Sequence, residues 1–300
     1  MLSLYFGLIC AVIVTYNTKE INLSNLTKLS KVTNKILIID NGSSKETLKL
    51  LSLIKEKFPM VSIYYNPKNL GLAAAQNIGI KKAIAENFDW ILFLDQDSFF
   101  QEGSIENFKK YYLSLDQKQR ESIAILAPRV FDLNLNSFYA HLIPKWKIFF
   151  KKLKCEQKNS IKGVLFAISS GSLIKTEVFK KIGLFREDFF IDFIDVEFCL
   201  RAITNGYTIH AVCDAVLFHE LGKRKKYKVL GFEVRPMFHP PERKFYLYRN
   251  RKKVWKKYLF KVPSFVLYDI LAGFYDVIRV IVFEDKKMAK LKMIIKGLVA

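Results

Sequence analysis

Four short apolar runs open the chain, at 8–14, 35–39, 61–65 and 90–94. They are too short for helices and too uniformly apolar for half-exposed strands, so they predict strands covered on both faces. Between them the period changes, and 20–32, 45–58 and 72–87 read as helices. The last carries Ala73, Ala74, Ala75, Ile78, Ile80, Ala83 and Ile84, small and apolar enough to pack closely on a sheet. This alternation predicts an α/β fold with a mostly parallel central sheet flanked by helices. Regularity falls off over 116–162, where a strand is expected at 123–126 and a Lys-rich aromatic stretch fills 145–154. An apolar run at 164–170 ends at Gly171. A helix is expected over 192–205, closed by Gly206 as its C′ residue, and then a strand over 208–218. After Gly222 the composition turns to basic helices, which divides the chain into 1–221 and a basic, aromatic-rich helical extension, 222–300. No internal repeat is present.

Three hundred residues with 51% hydrophobic content suffice for a full core and exclude a disordered chain. The net charge of +21 is uneven: residues 222–300 hold 21 Lys and Arg against 6 Asp and Glu, a surplus of 15. Such a skew implies an anionic partner, a nucleic acid or an anionic membrane surface. The stretch 249–261 interleaves cations with Trp255, Tyr258 and Phe260. It suits nucleic-acid stacking, a membrane interface, or a solvated helix face. Residues 262–283 are the nearest approach to a membrane span, but Asp269, Asp276 and Arg279 interrupt them. The opening 1–14 superficially resembles a signal peptide. It has no basic residue before Lys19 and no persuasive cleavage site, so a first strand is expected. Cys10, Cys155, Cys199 and Cys213 form no CxxC pair, which suggests free buried thiols in a reducing compartment.

Chemistry is suggested where apolar runs stop. The run at 90–94 ends in Asp95-Gln96-Asp97-Ser98. Carboxylates spaced i, i+2 repel unless a cation lies between them, and a divalent ion with a diphosphate in its shell removes the conflict. Ligands of open α/β sheets bind outside the carboxyl ends of strands. A plain turn would use the same residues. Asp40-Asn41-Gly42-Ser43-Ser44 follows the second strand and offers a nucleoside contact or only a helix cap. The turn at Asn69-Leu70-Gly71-Leu72 would let backbone approach a ligand. Asp192 and Asp195, one helical turn apart, and Glu197 form a second acidic cluster. In a polar cleft one of them would serve as a general base; otherwise they are a solvated first turn favoured by the helix dipole. His219 ends another apolar run, and an imidazole joining Asp95 and Asp97 would suit Mn2+ better than Mg2+.

In this order, Ala11 to Asn17, the Asp40 turn, Asn69-Leu-Gly-Leu with Asn77-Ile-Gly79, Asp95-Gln-Asp97, Ser170-Gly-Ser172 and Asp195-Val-Glu197 with Leu200-Arg201 resemble family 2 inverting glycosyltransferases. The Asp-Gln-Asp-Ser form and the segment from His239 to Asn250 are most similar to the rhamnosyltransferase branch. The resemblance implies a GT-A nucleotide-diphospho-sugar transferase fold, with donor binding at about 8–100 and acceptor and catalytic parts at 101–221. It implies that Thr15, Asn17, Asp40, Asn69, Gln76 and Asp95 line the nucleotide site, although many relatives carry Arg at position 76. Asp97, Asp95 and His219 would hold Mn2+ or Mg2+. Asp195 would be the base, with Asp192, Glu197, Arg243 and Arg249 in support. The implied reaction is a single displacement that inverts the sugar, with dTDP-rhamnose as donor and a saccharide or lipid-linked saccharide as acceptor. The implied location is the cytoplasmic face of an anionic membrane, and no nucleic acid is expected.

Overall fold

The computed structural model describes residues 6–21, 23–156, 158–220, 227–229, 232–234 and 238–300. The four apolar runs form β1 (Ile9–Thr15), β2 (Lys35–Asp40), β3 (Val61–Tyr65) and β4 (Trp90–Asp95), joined by α1 (Leu23–Val32), α2 (Lys45–Lys57) and α3 (Leu72–Ala85). They lie parallel in the order β4-β1-β2-β3. In register, Val14 sits beside Asp95 and Thr15 beside Asp40, so the polar residues that end three strands gather at one edge.

The second half begins with β5 (Phe99–Phe100), α4 (Ser104–Leu113), α5 (Gln117–Ser122) and β6 (Ile123–Asp132). Short strands follow: β7 (Ser137–Phe138), the hairpin β8 (His141–Lys145) and β9 (Phe149–Leu153), then β10 (Ser160–Lys162) and β11 (Leu173–Lys175). Next come α6 (Thr176–Ile182), α7 (Ile194–Thr204), β12 (Thr208–His219), the ribbon β13 (Tyr227–Val229) and β14 (Phe232–Val234), and the helices α8 (Pro241–Tyr258), α9 (Pro263–Phe283) and α10 (Lys287–Val299). Antiparallel β11 wedges between β4 and β6, and β12 runs parallel to β6 on its far side. A register shift between Val212 and Val216 bends β12. Its end turns back to pair with β5, Leu217 with Phe100 and Phe218 with Phe99. That pairing carries His219 across the intervening strands to the loop after β4.

Alternate residues of β1 feed two cores. Cys10 and Val12 face α3, α6 and α7, while Ile9, Ala11 and Ile13 face α1, α2 and α4. Gly79 lets α3 lie close on the sheet, because a Cβ there would stand 2.4 Å from Val12. Val254 and Tyr258 of α8, Val262 just before α9, and Phe265 and Val266 of α9 belong to the first core. The composition changes near Gly222, which lies outside the described residues, but the C-terminal helices share the core of the sheet.

Two local expectations are corrected, a helix start and the state of the cysteines. The helix at 192 starts instead at Ile194, because Asp192 and Phe193 both adopt left-handed backbone (φ 64° each). The apolar run at 164–170, for which no element was expected, forms no strand; Val164 N–H donates to Ile209 and Leu165 N–H to Leu142, on different strands. Cys155 and Cys213 are joined in a disulfide, leaving Cys10 and Cys199 as buried thiols. Antiparallel pairing of β10 with β12 brings those two cysteines together across 58 residues. Spacing along the chain carries no trace of such a register, so the cysteine pattern gives no support to a reducing compartment.

Candidate active site

At the carboxyl edge of the sheet, Asp95 ends β4 and Asp97 follows in the turn to β5. The turn is built by Ser98, whose N–H donates to the Asp95 carbonyl, and by Ser170, whose hydroxyl accepts from the Asp95 N–H at 3.1 Å. The two serine hydroxyls are 2.8 Å apart. Across the cleft His219 lies with Nε2 3.4 Å from Asp95 Oδ2 and Nδ1 3.3 Å from Asp97 Oδ1. Among the described residues this is the one cluster whose ligand atoms, all within 4.8 Å of one another, suit a metal ion. Burial, reinforced by Asp97, pushes the Asp95 carboxyl above its ordinary range despite His219 and Arg243. Burial disfavours charge on His219, but Asp97 and Asp95 outweigh it and raise the imidazole. Nδ1 of His219 is buried, with Asp97 Oδ1 as its polar neighbour. Two crowded acids and a buried imidazole facing both of them fit a divalent cation, and an oxygen, oxygen, nitrogen set suits Mn2+ well.

Asp195 occupies the first turn of α7, facing the same cleft. Its carboxylate accepts from Val196 N–H at 2.8 Å and Ser169 N–H at 3.3 Å. Burial pushes its pKa up to about 6, the two backbone donors pull it down, and nearby Asp192 and Asp95 raise it further. A carboxylate poised near neutrality is suited to take a proton.

The loop before Asp195 is held against its own preferences. Phe190, Asp192 and Phe193 all have positive φ, a conformation that costs non-glycine residues roughly 1–2 kcal/mol each. α8 supplies what overrides that cost. Fully buried Asn250 donates to the carbonyls of Phe189, Ile191 and Asp192 at 2.8, 2.9 and 3.0 Å. Arg243 grips Asp192 with two bonds of 3.0 and 2.8 Å. Tyr246 stacks on Phe190 at 5.0 Å. On the other side, Leu72 N–H donates to the Phe190 carbonyl, and Gly71 (φ 88°) must be glycine because a Cβ would stand 2.6 Å from the Phe190 ring.

The expected nucleotide residues form a hydrogen-bonded floor. Buried Asp40 accepts from Thr15 Oγ1 at 3.2 Å and Ser43 N–H at 3.0 Å. Asn17 (φ 49°) donates its N–H to Ser43 Oγ, and its side-chain oxygen accepts from Ser44 N–H. Asn69 accepts from Asn41 and from Gly71 N–H, fixing the turn into α3. Gln76 lies buried beneath the cleft, where its amide donates to Ser169 Oγ at 3.2 Å. It therefore adjoins the loop that holds Asp195.

Two supporting residues stand elsewhere. Glu197 is buried and bound by Lys257 at 2.7 Å, Tyr258 Oη at 2.9 Å and Arg201 at 3.0 Å, on the α8 side of α7. Arg249 donates to the Asp188 carbonyl and lies over Phe245 and Tyr246. Both brace α7 and its loop from behind, because helix periodicity turns their side chains away from Asp195 and Asp192. Asn250 and Ser169 are positioning residues to which sequence reasoning assigned no role. Asn250 closes the family-like segment that begins at His239, and nothing in the sequence indicated the carbonyls it would meet.

A family model described as Glycosyl transferase family 2 matches residues 10–183. The chain is 31% identical over 243 residues to the dTDP-rhamnosyl transferase RfbF of Shigella flexneri, covering 81% of this chain and 78% of that one. Among solved structures it resembles GalNAc-T7 with UDP, GalNAc and Mn2+, at TM-score 0.62 and 17% identity over 87% of this chain, which spans 49% of that protein. It also resembles the mannosyltransferase PcManGT from Pyrobaculum calidifontis in complex with GDP-Man and Mn2+, at TM-score 0.58 and 13% identity, over 98% of this chain and 75% of that one. At such identities the structural likenesses show the fold, which is the GT-A architecture expected from the sequence.

Proposed function

Because the chain belongs to glycosyltransferase family 2, we propose that it moves L-rhamnose from dTDP-β-L-rhamnose to a hydroxyl of a lipid-linked saccharide, with inversion. The observation that carries a transferase reading is the meeting of Asp95, Asp97 and His219 with Asp195 at one edge of the sheet. The donor rests on the likeness to the dTDP-rhamnosyl transferase.

Thr15, Asn17 and Asp40 would receive the nucleoside at the ends of β1 and β2, with Asn69 shaping the wall. Asp97, Asp95 and His219 would hold Mn2+ or Mg2+, which as a Lewis acid stabilises the charge of a departing diphosphate. Asp195 accepts the proton of the acceptor hydroxyl, and the freed oxygen attacks the anomeric carbon from the face opposite the diphosphate. One displacement needs one base and no enzyme nucleophile. Asp192 is engaged by Arg243, so it shapes the loop and leaves the base role to Asp195. Arg243 adds positive potential beside Asp95.

A nucleic-acid reading weakens because several cations of α8 are engaged by acids of the protein. Arg251 binds Asp269, Lys253 binds Asp188 and Lys257 binds Glu197. A lipid-linked acceptor places the enzyme at an anionic membrane surface, with attachment from one side, since no helix among the described residues is long and apolar enough to cross a membrane.

The test is a panel of dTDP-rhamnose, UDP-glucose, UDP-galactofuranose and UDP-N-acetylglucosamine, each with and without Mn2+, read by donor hydrolysis and thermal protection. A bound donor stabilises by mass action. Metal-dependent protection and turnover are expected with dTDP-rhamnose, and a clear preference for any UDP sugar would overturn the donor assignment.

A further inference from the structure

α9 is turned inside out for a helix in water. Its exposed positions are all apolar: Leu267, Leu271, Phe274, Ile278, Ile281 and Val282, with Tyr275 between them. At 100° per residue they fill one arc of roughly 120°. Phe274 is 68% exposed and Ile278 56%. The helix's charged residues point the other way. Asp269 is buried against Arg251 and Trp255, Asp276 is buried against Lys244 and Tyr248, and Arg279 bonds to Asp276. An ordinary surface helix shows the reverse arrangement, and a contiguous exposed apolar face marks an interaction site.

We infer that the outer face of α9 inserts into the headgroup region of an anionic bilayer with its axis in the membrane plane, which deepens the membrane placement proposed above and rests on it. Three charged residues on the inner face rule out a spanning orientation, whereas the body of the protein covers that face and leaves the apolar arc free to enter the interface. Cations bracket the arc. Exposed Lys261 precedes α9, exposed Lys286 and Lys287 follow it, and Phe260 beside Lys261 is 93% exposed. Charge selects the occupant. Two copies joined face to face across α9 would bring these lysines together on a chain of net charge +21, while anionic lipid neutralises them. The attachment thus keeps Phe260 and Lys261 from the stretch 249–261 but not Arg251, Lys253 and Lys257, which are committed to acids of the protein.

The experiment uses the full chain and vesicles of phosphatidylcholine with or without phosphatidylglycerol. The parent is expected to float with anionic vesicles. Leu271→Gln/Phe274→Gln/Ile278→Gln should lower partitioning by roughly 1000-fold or more, since each of the three side chains contributes about tenfold or more through apolar burial. These positions are exposed, so thermal stability and dTDP-rhamnose hydrolysis should stay at parental levels. Phe274→Trp should show a blue-shifted emission that brominated lipid quenches. Parental flotation of the triple variant would overturn the inference. So would a parent dimer that the triple variant dissolves without any vesicle binding, because the face would then be a contact between copies. Loss of donor hydrolysis in a parent that still floats would strike the transferase reading and leave the membrane face standing.

Discussion

Asp195 has two opposing effects that measurements can separate. Its folded-state pKa, raised to about 6 mainly by burial, means that the charged form is disfavoured in the native protein. For an acid with a raised folded pKa, stability is fullest when the group is protonated and is lost as pH rises from the unfolded value towards the folded one. Asp195→Asn should therefore raise Tm relative to the parent above about pH 6, by an amount that shrinks between about pH 6 and 4 and vanishes below. Transfer should instead fall by ~10²–10⁴-fold with donor affinity retained, the usual contribution of a general base. In the parent, kcat/KM should decline on the acid side with a midpoint near about 6. A variant that is more stable yet transfers normally would remove the base assignment. Asp97→Ala should leave the fold intact and abolish the Mn2+ dependence of donor binding, read by calorimetry with and without the ion. Unchanged metal-dependent affinity would show that His219 and Asp95 do not need it.

The element that decides the geometry of Asp195 is α8, although it begins 46 residues later in the chain. Asn250 offers one amide group to three carbonyls of a loop with three left-handed residues. Asn250→Ala should cost on the order of 3 kcal/mol, because buried carbonyls left without donors are penalised. Transfer per folded molecule should fall as well. Asn250→Asp is the sharper variant, since a nearly isosteric carboxylate has no N–H to give and should do no better than Ala. Denaturation midpoints with single-turnover transfer on the same samples check both, and parental transfer by folded Asn250→Asp would refute the clamp. The same element shows what the sequence could reveal. Strands β1 to β4 and their helices were legible because burial on both faces leaves an uninterrupted apolar run, and Asp95, Asp97 and His219 were legible because Asp95 and His219 each end one and Asp97 follows Asp95 by two residues. Asn250, the left-handed turn at 192–193 and the Cys155–Cys213 bridge were not, since each depends on contacts between segments far apart in sequence. The cations of 249–261 were visible but their partners were not, because composition does not say whether Arg251 meets solvent or Asp269.

At the scale of the molecule, the basic C-terminal quarter is part of the core that supports the site. Val254 and Tyr258 of α8 and Phe265 and Val266 of α9 are buried with residues of α3, α6 and α7. The same helices enclose a charge cluster. Lys244 lies between Asp276, at 2.9 Å, and Glu284, at 3.6 Å, and Lys290 from α10 bonds Glu284 at 2.9 Å. Removing one side of a buried ion pair costs about 3–5 kcal/mol, because the remaining charge is left uncompensated. Ending the chain after Phe260 would strip Lys244 and Arg251 of their acids and uncover the apolar side of α8 in one step. A detachable membrane tail would behave differently: its loss would release the protein from vesicles and leave Tm and donor hydrolysis unchanged. The packing argues for the opposite outcome, a large fall in Tm or loss of cooperative unfolding, together with loss of donor hydrolysis as the loop before Asp195 loosens. Differential scanning calorimetry of the truncated chain beside the α9 triple-Gln variant separates the two ideas. Only the truncation should melt early, and a truncated chain that unfolds at the parental temperature would mean that α9 and α10 add nothing to the stability of the sheet.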